Sequence, residues 1–113
     1  MTTSECGDLV LVECPSSGTT QRQRRPALGV LDIGDADVVL APITTQTRTA
    51  RGDDALQEWA ASSLLRPSWV RLAKIACLEK RAMTRRLGRL RAPDHTTLRQ
   101  LWHTVYAVPP PPT

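Results

Sequence analysis

The sequence predicts a mainly β domain with short helices, closed by one longer helix near its C-terminal end. Three observations carry this prediction. Short apolar runs bounded by Gly, Pro and Asp read as buried strands separated by turns. Two of them, at 26–31 and 36–43, flank Asp32-Ile33-Gly34-Asp35, an acidic turn with glycine, and so fold back as a hairpin. The best helical spacing comes late, at 93–105, where Leu98, Leu101, Trp102 and Val105 fall at i, i+3, i+4 and i+7.

Taken in order, Gly7-Asp8-Leu9-Val10-Leu11-Val12-Glu13-Cys14 is a turn residue followed by a first strand that Pro15 ends. The stretch 16–25 is polar with three arginines, and reads as a loop. A basic loop leading into Arg25 is a candidate lid over an anionic ligand; an ordinary solvated hairpin loop is the alternative. The hairpin strands follow, and Pro42 interrupts the second with a free edge or a bulge, because it has no N–H for the ladder. After a polar loop with Arg48 and Arg51, Asp53-Asp54 is expected to start a short helix with Leu56, Trp59 and Ala60 on one face.

The stretch 67–78 alternates, with Val70 and Leu72 set against Trp69, Arg71 and Ala73, and predicts one long strand, although Leu72-Ala73-Lys74-Ile75-Ala76 would also tolerate helix. A turn or single helical turn at 79–84 and a short basic strand around Gly88 lead to the closing helix. Pro93 suits its first turn, and Asp94 complements its dipole. The tail Val108-Pro109-Pro110-Pro111-Pro112-Thr113 is extended and outside the core.

At 113 residues the chain is expected to be a single domain over 1–113, ordered from about 6 to 107, with the proline-rich tail at 108–113. Phenylalanine is absent, so Leu, Val, Ile and Ala with a few tryptophans must build the core. Charge is divided unevenly. Residues 1–65 hold five Arg/Lys against nine Asp/Glu, whereas 66–113 hold ten against two. Arginine supplies 13 of the 15 cations, and its planar fork suits phosphate and carboxylate. A basic second half of this kind suits nucleic acid or an acidic protein partner.

Cys6, Cys14 and Cys77 are an odd number without Cys-x-x-Cys spacing, so neither a zinc site nor a disulfide framework is expected, and no cofactor. The first residues lack the basic and apolar regions of a secretory signal, and no apolar run approaches the ~20 residues that span a bilayer. The expected location is the cytoplasm.

Four segments follow one another in the chain: Gly7-Asp8-Leu9-Val10-Leu11-Val12, Arg24-Arg25-Pro26-Ala27-Leu28, Ala41-Pro42-Ile43-Thr44-Thr45-Gln46 and Pro67-Ser68-Trp69-Val70-Arg71-Leu72 leading to Leu78-Glu79-Lys80. In these the chain resembles, from Gly7 to about Val105, the MazF/PemK family of toxin–antitoxin endoribonucleases. Their order and spacing are the signal, since no one of them is specific. The resemblance implies an SH3-like β-barrel of the MazF and CcdB kind with a C-terminal helix, assembled as a homodimer. It further implies metal-independent cleavage of single-stranded RNA and a cognate antitoxin lying over the active site. Its catalytic arginine before proline falls on Arg25, and its catalytic threonine on Thr44. Thr45 and Gln46 complete that motif, and Arg22, Arg24, Arg48 and Arg71 join them as candidate RNA contacts.

Two departures bear on this expectation. Gly29 stands where a β-branched residue is more usual, at an entropy cost of roughly 0.5–1 kcal/mol. Ala76-Cys77 replaces an Arg-Thr pair that many relatives carry, removing a cation and a hydroxyl. The alternatives are a catalytically silent barrel that binds RNA or a partner, and a gyrase-targeting toxin of the same fold. His95 and His103 belong to the closing helix, far in sequence from Arg25 and Thr44, and a structural or solvent-facing role is expected of both.

Overall fold

The computed structural model describes residues 7–15, 22–107 and 111–112. The strands are β1 (Asp8–Pro15), β2 (Arg22–Leu31), β3 (Asp37–Thr44), β4 (Asp53–Ala55), β5 (Trp69–Arg71), β6 (Ala76–Glu79) and β7 (Met83–Arg89). One α-helix, α1 (Ala92–Val105), follows them. All pairings are antiparallel, in the order β4-β5-β3-β2-β1-β7, with β6 beside β5 on the same partner, β3. The mainly β architecture and the C-terminal helix are those expected. Among the described residues no ladder joins β4 to β7, so the hydrogen-bonded path itself stays open.

Directly paired residues of an antiparallel sheet point to the same face. Leu9, Leu28 and Ala41 form one such row. With Ile43, Leu56, Val70, Leu72, Leu90 and Leu98 they make the larger core, which α1 covers. Burial of Leu98 alone is worth about 1.5–3 kcal/mol. Val10, Ala27 and Pro42 form the next row, on the opposite face. There Val10, Val12, Ala27, Val38 and Leu40 make a second, smaller core with Leu78 and Met83 packed against it. Burial on both faces explains why β1 to β3 read as apolar runs rather than alternations.

Four expectations need correction. The loop expected over 16–25 ends sooner: β2 begins at Arg22, and Arg22–Arg25 pair with residues 15 to 12 of β1. Arg22-Gln23-Arg24-Arg25 is polar throughout, so no apolar periodicity marked it. Residues 16–21 of that loop, and most of the proline-rich tail, lie outside the described residues.

Asp53-Asp54 does not start a helix; it lies in β4, paired with Arg71 and Val70. The helical spacing that follows is spent on a turn at 57–63, closed by Ser62 N–H to Glu58 O at 3.0 Å. Leu56 is buried and Trp59 half-buried, but Ala60 is exposed. A Cβ at Gly88 would stand 2.5 Å from the Ser62 carbonyl oxygen, so this turn can press on β7 because that residue is glycine.

The long strand expected at 67–78 is broken. Ile43 faces Val70 while Leu40 faces Ala76, so three steps along β3 correspond to six along its neighbour. The surplus is taken up by a 3₁₀ turn, Leu72–Lys74. It falls opposite Ala41 and Pro42, where the missing proline N–H weakens the ladder. The expected interruption at Pro42 therefore occurs in the neighbouring strand.

Asp94 does more than face a helix dipole. It is fully buried, and its two oxygens accept the backbone N–H groups of Gln57 and Glu58, each at 2.8 Å. The first turn of α1 thereby caps the 57–63 turn across the domain.

Candidate functional site

Arg25 and Thr44 lie just past the same end of the β2–β3 ladder, each two residues beyond its last pair, Ala27 with Pro42. Both fall on the face of the smaller core, since Arg25 pairs with Val12 and Thr44 follows Leu40 and Pro42 in alternation. At this end of the hairpin the smaller core gives way to polar side chains. Arg25 is exposed and Thr44 half-buried.

Each is held by a neighbour two residues away. The Arg25 Nε donates to Gln23 Oε1 at 3.1 Å, and its Nη2 donates to the same oxygen. That contact fixes one edge of the guanidinium and leaves the Nη1 side for an anion. The Thr44 Oγ1 accepts the Gln46 backbone N–H at 3.2 Å, so its hydroxyl hydrogen is free to donate. Gln46 Oε1 in turn accepts from Arg48 Nη2 at 3.3 Å. The Arg48 Nε is shut from solvent and has no hydrogen-bond partner.

The remaining expected contacts are distributed unevenly. Arg24 and Thr45 are exposed. The backbone of Arg22 pairs with Pro15, while its side chain lies outside the described residues. Arg71 shares its charge with Asp53, its cross-strand partner, at 3.6 Å between Nε and Oδ1. Ala76 is exposed and pairs with Leu40, which places the lost cation of the Arg-Thr pair on the Arg25 and Thr44 face, whereas Cys77 pairs with Val39 on the other.

Two neighbours escaped the sequence reading. Gln23, which orients Arg25, carried no signal beyond its i−2 spacing. Trp69 stands directly across β3 from Thr44 and shares its face. Its signal was the alternation that set it with Arg71 on the polar phase of that stretch. His95 and His103 are exposed on α1, against the opposite face, where they border a groove of about 320 Å³ floored by Leu28, Gly29 and Val30. Among the described residues no group of three His, Cys, Asp or Glu side chains is arranged to hold a metal ion. No helix of the described residues is long and apolar enough to cross a membrane.

Solved structures share this fold. An endoribonuclease in complex with its cognate antitoxin from a mycobacterial species matches with a TM-score of 0.75 at 21% identity, over 96% of this chain and 100% of that one. The Mycobacterium tuberculosis toxin MazF-mt6 matches with a TM-score of 0.69 at 19% identity, over 88% and 98% of the two chains. A MazE–MazF structure from Deinococcus radiodurans also gives 0.69 at 19% identity, over 93% and 94%. Comparison with curated proteins by sequence gives no match. A family model spans residues 5–104, taking in every strand, the Arg25 and Thr44 hairpin and nearly all of α1. By that match the chain belongs to the PemK-like, MazF-like toxins of type II toxin–antitoxin systems.

Proposed function

We propose that the chain is a metal-independent endoribonuclease that cuts single-stranded RNA with sequence preference, acts in the cytoplasm as a homodimer and is neutralised by a cognate antitoxin. The observation that carries this reading is that Arg25 and Thr44 share one face, each two residues past the last β2–β3 pair, Ala27 with Pro42. The structures it resembles include endoribonucleases, and one of them is bound to its antitoxin.

In this mechanism the RNA 2′-hydroxyl loses its proton and attacks the adjacent phosphorus. The O2′–P bond forms, the P–O5′ bond breaks, and the 5′ oxygen takes up a proton. The products are a 2′,3′-cyclic phosphate and a 5′-hydroxyl. Charge builds on the non-bridging oxygens at the five-coordinate stage. Arg25 offers its outer N–H groups to them, already oriented by Gln23. Thr44 offers its hydroxyl hydrogen beside them, its oxygen being held by Gln46. With a pKa above ~12 the guanidinium is a poor base, so its contribution is electrostatic. Arg24, Thr45, Gln46 and Arg48, with Arg22 and Arg71, bind the flanking strand.

The test is cleavage of defined single-stranded RNA in EDTA. Arg25→Ala should lose on the order of 10²-fold or more in rate. Arg25→Lys should also fail, because a point charge does not replace the fork. If Arg25→Ala cuts as fast as the parent, the site is elsewhere. Binding without cleavage by the parent would instead indicate a silent RNA-binding module.

A further inference from the structure

Trp69 is placed unlike the other two tryptophans. All three are half-buried, but Trp59 and Trp102 pack against the larger core, whereas Trp69 packs against neither core cluster. Its cross-strand partners are Thr44 on one side and Ala55 on the other, two small side chains. Strand order sets β3, which carries Thr44, between β5 with Trp69 and β2 with Arg25. Arg48 adds a buried Nε without a partner just beyond Thr44, and Arg71 a cation two residues along β5.

We propose that Trp69 is a stacking platform for a nucleobase beside the phosphate held by Arg25 and Thr44, and that differences in stacking strength there give a modest preference among bases next to the cut. This rests on the endoribonuclease reading. Single-stranded RNA is read with its bases splayed out and stacked on aromatic side chains, while cations track the backbone. A face with an indole outside both cores among arginines matches that division.

The experiment uses the full chain, a pool of single-stranded RNA with randomised positions, and the same pool fully 2′-O-methylated so that it binds but cannot be cut. Trp69→Ala should raise KM on the order of 10- to 100-fold with little change in kcat, and should flatten the base preference next to the cut. Trp69→Phe should restore most of both, and Trp69→Leu neither. If Trp69→Ala does not fold, the contrast between Phe and Leu carries the same test. Parental KM and base preference in Trp69→Leu would overturn the proposal, as expected if Trp69 serves a protein partner instead. Should the parent bind the methylated pool yet cut nothing, the nuclease reading fails alone, and loss of that binding in Trp69→Leu but not Trp69→Phe still supports the stacking role. A parent that neither binds nor cuts overturns both.

Discussion

The Nζ of Lys80 lies 2.8 Å from Oδ1 of Asp32, and both side chains are almost closed to solvent. The pair pins the β2–β3 turn to a second 3₁₀ turn, Lys80–Ala82, where Lys80 N–H also bonds the Ala36 carbonyl at 2.9 Å. The Lys80 hydrogen bond, helped by the Gly34 N–H, holds the Asp32 carboxyl below its ordinary value of 3.8. A carboxylate with a lowered folded pKa binds fewer protons folded than unfolded, so its stabilisation is complete above 3.8 and is lost as pH falls through the lowered value. Thermal unfolding followed from neutral pH to pH ~2 should show this acid limb in the parent and a shallower one in Asp32→Asn. Equal slopes would mean that the pair contributes nothing to acid sensitivity.

Asp54 behaves in the opposite sense. Burial pushes its carboxyl up, and the nearby charge of Asp94 adds to the effect. Its Oδ2 is enclosed without a hydrogen-bond partner. Here the folded state binds protons more readily, so ionising Asp54 costs stability as pH rises through its raised pKa. Asp54→Asn should therefore raise Tm at pH ~7, and the gain should vanish below pH ~3, where the parent carboxyl is protonated in both states. A lower Tm at neutral pH would show that the charge is compensated.

Asp94 is the residue on which the middle of the chain depends. Its two hydrogen bonds reach 36 and 37 residues back, and a charged acceptor makes each worth about 1.5–3 kcal/mol. Asp94→Ala should cost about 2–4 kcal/mol in denaturant unfolding, since it also strands the Gln57 and Glu58 N–H groups. Asp94→Asn keeps one acceptor and should fall between. Amide exchange at Gln57 and Glu58 should rise in both variants, which separates the cap from a general loss of packing.

What could be read from the sequence was local. The strand from Leu9, the hairpin around Gly34, the turn at Lys80 and the helix through Leu98 each carry their cause within a few residues. The failures were decided from a distance. Asp53-Asp54 resembles a helix start until β5 offers it a ladder, and the chain at 57–63 stays a turn between Gly88 and Asp94. The break after Arg71 has its cause in Pro42, on another strand. The site followed the same division: Arg25 and Thr44 were found by motif order, while Asp53 and Trp69 acquire their meaning only from pairing register.

Ala76 offers the most direct probe of where bound RNA runs. It is exposed, pairs with Leu40 and lies on the Thr44 face without a charge of its own. If RNA crosses that face, Ala76→Arg adds one phosphate contact. Binding to single-stranded RNA releases counterions, so one more contact should steepen the slope of log K against log salt by about 0.7. The measurement is the affinity of the 2′-O-methylated pool between about 50 and 200 mM salt. Gln100→Arg is the control, because Gln100 is exposed on α1, against the other face, and adds the same charge. Net charge alone would move both variants alike. A steeper slope in Ala76→Arg only would locate the strand on the Arg25 and Thr44 face, and an unchanged slope would rule out a path past β6.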